Sequence, residues 1–160
     1  MRFGIALGSN LGDRAANMRH GIELLLAVPG IELKASSPIY ETDPVDCDPG
    51  TQAFLNSVIE VQAACTPPEL HAHLKAVEQA LGRPVQRERN APRTLDLDLL
   101  YADDIISNDP DLILPHPRMH LRSFVLKPLA DIRPELVLPG FSQPVSAFLK
   151  EDASVRLYAK

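Results

Sequence analysis

Tryptophan is absent, aromatic side chains make up only 5% of the chain, and 160 residues contain just two cysteines. Cys47 and Cys65 lack a second CxxC-like half, so they suggest neither a zinc knuckle nor a disulfide framework. Both read as free thiols of a reducing compartment. No apolar run approaches the roughly 18 residues that would cross a bilayer. Phe3, Ile5 and Leu7 alternate like a strand at the start, where a secretory protein would carry a basic segment and an apolar helix. The expectation is a cytoplasmic protein with no membrane partner. Basic charge is scarce too: 16 Lys and Arg stand against 21 Asp and Glu, a formal balance of −5, which argues against a long nucleic acid as the main partner. A chain of this length buries roughly 70% of its unfolded surface, so a single domain over 1–160 needs no disulfide or structural metal.

Arginine and proline are plentiful by contrast. Eleven of the 16 basic residues are arginines, and Arg83, Arg87, Arg89 and Arg93 fall in one short segment. Fifteen prolines predict short elements joined by fixed turns. Along the chain, a strand over residues 2–8 is broken by Gly8, Asn10 and Gly12. Asp13 then caps a helix whose apolar face is Met18, Ile22, Leu25 and Leu26, ended by Pro29 and Gly30. Ile31, Leu33 and Ala35 alternate in a second strand, residues 41–51 read as a polar loop, and a third strand runs from about Phe54 to Ala64. Thr66, Pro67, Pro68 and Glu69 spell a capping box, followed by a helix with Leu70, Leu74, Val77 and Leu81 on one face, ended by Gly82. An arginine-rich loop over 83–93 leads to a fourth strand, Thr94 to Tyr101.

This βαββαβ order predicts an α+β, ferredoxin-like fold: an antiparallel sheet with helices on one face. The proline-rich last 60 residues predict an extension of short helices, with room for one added hairpin.

In the fourth strand Leu95, Leu97 and Leu99 take one face and Thr94, Asp96 and Asp98 the other. Two carboxylates two residues apart repel one another and are poor strand formers, so either neighbouring arginines or magnesium must offset the cost; an ordinary solvent-facing strand is the bland alternative. Magnesium together with guanidinium groups is the chemistry of phosphoryl groups and predicts a nucleoside triphosphate. The chain has no GxxxxGK[ST] loop, no GxGxxG after its first strand and no kinase-type catalytic loop, so familiar ATP cradles are excluded. His116, Arg118, His120 and Arg122 alternate in the tail; prolines at 115 and 117 and the lack of an HExxH glutamate favour phosphate contacts over zinc. His71 and His73, two apart on the capped helix, read as surface residues.

The motifs Gly8–Ser9–Asn10–Leu11–Gly12–Asp13–Arg14, Ser37 to Thr42, Phe54–Leu55–Asn56, Leu81–Gly82–Arg83, the run APRTLDLD at 91–98, and Pro115 to Leu126 together resemble the 6-hydroxymethyl-7,8-dihydropterin pyrophosphokinase family. The resemblance spans about residues 4 to 134. It implies Mg-dependent transfer of the β,γ-pyrophosphoryl unit of ATP to the pterin hydroxymethyl oxygen, releasing AMP, in folate biosynthesis. Two magnesium ions would be held by Asp96 and Asp98, with Arg83 and Arg93 as the catalytic loop arginines.

For the pterin, the resemblance implies Asn56 as the amide partner, Phe54 and Phe124 as the enclosing rings, and Thr42, Pro44, Val45 and Asp96 as further contacts. For ATP it implies Lys75, Glu78, Arg89, Arg93, Leu99, Ile113, His116, Arg118 and Arg122. Asn90 stands where some relatives have a tryptophan, and Val85 where some have a phosphate-binding arginine. ATP is expected to bind first, with the segments 41–52 and 83–93 closing over both substrates. Only small-molecule partners are expected, with no obligate protein partner. The competing readings are a ferredoxin-like regulatory module without chemistry and a DxD sugar-nucleotide transferase.

Overall fold

The computed structural model describes residues 1–43, 52–82 and 94–158; Cys47 and the 83–93 segment fall outside them. Strand β1 (Arg2–Ser9) leads into helix α1 (Arg14–Leu26). The helix starts where Asp13 accepts the Ala16 N–H at 3.1 Å, satisfying a donor with no intrahelical partner. Strands β2 (Glu32–Ser36), β3 (Tyr40–Thr42) and β4 (Phe54–Gln62) follow. Helix α2 (Pro67–Ala80) carries both halves of the capping box: Glu69 Oε1 accepts Thr66 N–H at 2.8 Å, and Thr66 Oγ1 accepts Glu69 N–H at 3.3 Å. After β5 (Asp96–Ala102) come a hairpin, β6 (Ser107–Asp109) with β7 (Leu112–Leu114), a 3-10 turn over Met119–Leu121, helix α3 (Ser123–Ile132), a second 3-10 turn at Val145–Phe148, and β8 (Val155–Leu157).

The main sheet is antiparallel throughout its described pairings, in the order β5-β1-β4-β3-β8, with β2 also pairing β4. On one face Phe3, Ile5, Leu7, Ile59 and Leu97 pack against Met18 and Leu25 of α1 and Leu70, Leu74 and Val77 of α2. On the other, Val58, Leu100 and Tyr101 are covered by Met119, Val125, Leu126, Leu129 and Val145. The expectation of helices on one face alone is therefore corrected: the extension after β5 forms a second covering layer.

Glu60 concealed this from the sequence, because a charged residue at an alternate strand position reads as solvent-facing. It is 2% exposed, accepting from Arg2 Nη1 at 3.0 Å, Tyr101 Oη at 2.5 Å and Arg133 Nη1. Hydrogen-bonded in this way, a carboxylate can lie under a helix.

Two further expectations change. Glu41 and Thr42, read as loop, belong to β3, a short strand whose partners are β4 and the distant β8. The alternation of β2 is broken by a register shift between Leu33 and Ala35, which leaves Leu33 41% exposed. No described helix is long and apolar enough to cross a membrane.

Candidate active site

The register of the sheet sets out a row of polar groups. Gly8 of β1 lies opposite Asp96 of β5 on one side and Asn56 of β4 on the other, and Asn56 lies opposite Tyr40 of β3. With strands about 4.8 Å apart, Asp96 and Asn56 stand roughly 10 Å from each other, with only a glycine between them. A Cβ on Gly8 would come within 3.3 Å of Asn56 Oδ1 and 3.7 Å of the Phe54 ring, so that amide oxygen and ring border the space above the glycine. Asn56 Nδ2 donates to Thr42 Oγ1 at 2.8 Å. The side-chain amide is thereby oriented, with Oδ1 on the Gly8 side.

Asp96 and Asp98 share the sheet face opposite Leu95, Leu97 and Leu99, which are buried in the first core. Asp96 is half-buried and Asp98 exposed. Strand β5 is an edge of the main sheet, and Glu78 of α2 accepts its Leu97 N–H at 2.6 Å while itself only 1% exposed. Lys75 Nζ meets the other oxygen of that carboxylate at 3.3 Å. Glu78 thus covers an edge donor and fastens α2 to the strand that carries the carboxylates.

Cationic and imidazole groups gather around Asp98. His116 N–H donates to Leu100 O at 2.8 Å, and His116 Nδ1 accepts the Arg118 N–H at 3.2 Å. The neutral ring therefore carries its proton on Nε2, an edge suited to a nucleotide oxygen. Burial pushes the His116 pKa down, the nearby Asp98 carboxylate opposes this, and Arg122 and Arg118 add to it. Arg122 lies over the Phe124 ring at 5.7 Å, at the start of α3.

His71, read from sequence as a surface residue, is half-buried, and its Nδ1 is buried without a hydrogen-bond partner among the described residues. Burial lowers its pKa first and Lys75 second, against the pull of Glu78, Asp98 and Asp111. One sequence signal could have found it: His71, Lys75 and Glu78 are spaced four and three apart, which places them on one face of α2.

The structure thus brings Thr42, Phe54, Asn56 and Asp96 to one part of a sheet face, and Lys75, Glu78, Asp98, His116, Arg118 and Arg122 to its β5 side. Leu99 is 4% exposed on the other face of β5, within the first core, and Ile113 of β7 is 42% exposed. Pro44, Val45, Arg83, Arg89 and Arg93 lie outside the described residues. No group of three or more His, Cys, Asp and Glu that could hold a metal gathers among the described residues. The pair Asp96 and Asp98 suits a hard cation such as Mg²⁺, which takes one or two carboxylates and completes its shell with water and phosphate oxygens.

The family model for 7,8-dihydro-6-hydroxymethylpterin-pyrophosphokinase matches residues 4–134. A protein of Methylorubrum extorquens named 2-amino-4-hydroxy-6-hydroxymethyldihydropteridine pyrophosphokinase is 40% identical over 136 residues, 85% of each chain. One of the same name from Bacillus subtilis is 43% identical over 128 residues, covering 80% of this chain and 75% of its own. The crystal structure of Plasmodium falciparum HPPK-DHPS wild type with pteroate aligns at a TM-score of 0.71 and 15% identity, over 92% of this chain and 41% of that one, a likeness of fold.

Proposed function

The chain belongs to the 7,8-dihydro-6-hydroxymethylpterin-pyrophosphokinase family, and from that premise we propose that it transfers pyrophosphate from ATP to the hydroxymethyl group of 6-hydroxymethyl-7,8-dihydropterin in folate biosynthesis, releasing AMP. The observation that carries this reading is the row Asp96, Gly8, Asn56 across three strands. The space above the glycine is bordered on one side by an amide oriented through Thr42 and on the other by the strand that carries the Asp96 carboxylate. A pterin is flat, with an edge that both donates and accepts, and Asn56 can do both. Phe54 and Phe124 supply apolar faces for the ring; Pro44 and Val45 add contacts on the sequence resemblance alone.

On the nucleotide side Lys75, His116, Arg118 and Arg122 draw the triphosphate toward β5, and Arg83, Arg89 and Arg93 add charge from the arginine-rich segment. Ile113, exposed on β7, flanks the adenine; the Leu99 side chain is taken up in the first core, so that residue would meet the base only through its backbone, and Glu78 holds the strand and Lys75 in place. Two Mg²⁺ ions held by Asp96 and Asp98 would, when bound, neutralise the triphosphate and polarise the β-phosphoryl group. The pterin hydroxyl oxygen attacks the β-phosphorus and gives up its proton to water, the bond to the oxygen bridging the α- and β-phosphates breaks, and AMP departs with that oxygen. Phosphoryl transfer depends mainly on alignment and charge stabilisation, which the opposed pterin and nucleotide sides of the sheet supply.

The central order β5-β1-β4 with β2 beside β4, and α1 and α2 as the crossing helices, supports a ferredoxin-like core forming one domain over 1–160, with β3 as a third strand between α1 and α2. The substrates are small molecules; a cytoplasmic setting fits them, with no nucleic-acid, membrane or obligate protein partner. Incubation with ATP, Mg²⁺ and the hydroxymethyl dihydropterin tests the reading: the wild type releases AMP, and Asp96→Ala does so at less than about a tenth of that rate while keeping its circular dichroism spectrum. A wild type that makes no AMP would refute it.

A further inference from the structure

Arg14, the first residue of α1, is absent from the set of substrate-facing residues above, yet its side chain is only 18% exposed. Its Nη1 donates to Glu41 Oε2 of β3 at 2.9 Å and to Ala53 O, just ahead of β4, at 2.7 Å. The guanidinium also lies over the Tyr158 ring at 5.8 Å. From the other side Arg156 of β8 reaches Glu41 Oε1 at 3.5 Å and Asp43 Oδ1 at 2.9 Å.

These contacts sit at a particular place in the sheet. The β3–β4 pairing ends at Thr42 opposite Phe54. Beyond that pair Asp43 N–H turns to Ser154 O at 3.3 Å, and the Ala53 carbonyl takes the Arg14 guanidinium in place of a ladder donor. Glu41 points to the sheet face opposite Thr42 and Asn56, so none of these groups is placed to touch the pterin slot. They are placed to fix the spacing of the two strands that form it.

We propose that Arg14, with Arg156, clasps Glu41 and Ala53 so as to hold the Thr42–Asn56 and Phe54 side of the slot at the width a pterin requires. Arg14 is a positioning residue for that substrate. The inference rests on the reading of the slot as the pterin site. Nη1 alone serves the carboxylate and the carbonyl while the planar group lies over the Tyr158 ring; a lysine ammonium could make the bonds but not the planar stacking, so it would hold the clasp less well. The effect falls on the pterin side because, among the described residues, the nucleotide-side groups are carried by α2, β5, β7 and the segment before α3, whereas the bonds of Arg14 run to Glu41 and Ala53 and its ring contact to Tyr158.

The test is a fluorescence titration of 6-hydroxymethylpterin into protein saturated with Mg²⁺ and a non-hydrolysable ATP analogue. Loss of the charge-assisted bonds in Arg14→Ala is expected to raise the pterin Kd about tenfold, and Arg14→Lys by less, with the analogue's own Kd unchanged. Arg2→Ala is the control: it removes an ion pair to Glu60 at the opposite end of the β1–β4 ladder, and is expected to lower Tm without weakening pterin binding. Should Arg14→Ala fail to fold, Arg14→Lys and Glu41→Gln must each weaken pterin binding selectively. Variants that bind the pterin as tightly as the wild type, or that lose pterin and nucleotide affinity in equal measure, overturn the proposal. A wild type that binds no pterin instead refutes the assignment of the slot.

Discussion

At Gly8 the absence of a side chain keeps the space between Asp96 and Asn56 open. Gly8→Ala would set a methyl 3.3 Å from Asn56 Oδ1, close enough to crowd the amide yet not to break the strand. The expected result is a KM for the pterin raised about tenfold with Tm nearly unchanged; equal kinetics in the two proteins would show that the slot is not the pterin site. Tyr40, next in the same row, donates to Asp131 Oδ2 at 2.5 Å. Burial first, and the hydrogen bond and charge of Asp131 second, push its phenol from 10.0 up to about 12. A folded-state value above the unfolded one means that this contribution to stability is complete below pH 10 and is lost as the pH rises toward 12. The difference between ultraviolet titrations of wild type and Tyr40→Phe should place this ionisation near 12; a midpoint at 10 would contradict the Asp131 pairing.

Among the elements, β1 and β5 approach closely at Gly4. A Cβ on Gly4 would fall 2.1 Å from the Tyr101 ring, which is 1% exposed and tied to Glu60 through its hydroxyl. The modest gain in strand propensity from alanine is outweighed by this overlap, so Gly4→Ala should cost about 1–3 kcal/mol, read as a lower denaturant midpoint at unchanged slope. Thr66→Ala, which removes one half of the α2 capping box, should cost about 1 kcal/mol in the same measurement.

The caps at Asp13 and Thr66 were legible in the sequence because a cap is a local device, satisfied within three residues. Strands β3 and β8 were not legible: each is three residues long, and they pair across more than a hundred positions of chain. The second layer escaped for a related reason. Only the three donors gathered on Glu60 from β1, β5 and beyond α3 make its burial possible, and no periodicity within β4 announces them.

Over the whole molecule, the −5 balance hides a segregation of charge. Arg118 and Arg122 lie with His116 near Asp98 and Lys75 stands at the β5 edge beside Glu78, while other carboxylates such as Asp131 and Glu60 are engaged in holding α3 and its flank to the sheet. The carboxylate pair was legible from strand alternation alone. The slot itself was not, because the row Asp96, Gly8, Asn56 exists only once three strands are aligned in register. His71 and Arg14 escaped because each acts through neighbours that are distant in sequence. On the proposed function, the space above Gly8 takes the pterin, the β5 edge takes the phosphates, and the two act together in moving a pyrophosphoryl unit in one piece.

ATP carrying its label in the β-phosphate, turned over with Mg²⁺ and 6-hydroxymethyl-7,8-dihydropterin, distinguishes this transfer from that of a single phosphoryl group. All the label is expected to leave with the pterin, as its diphosphate, with one unlabelled AMP per turnover. Label retained in ADP would mean that a single phosphoryl group had moved, and would contradict it.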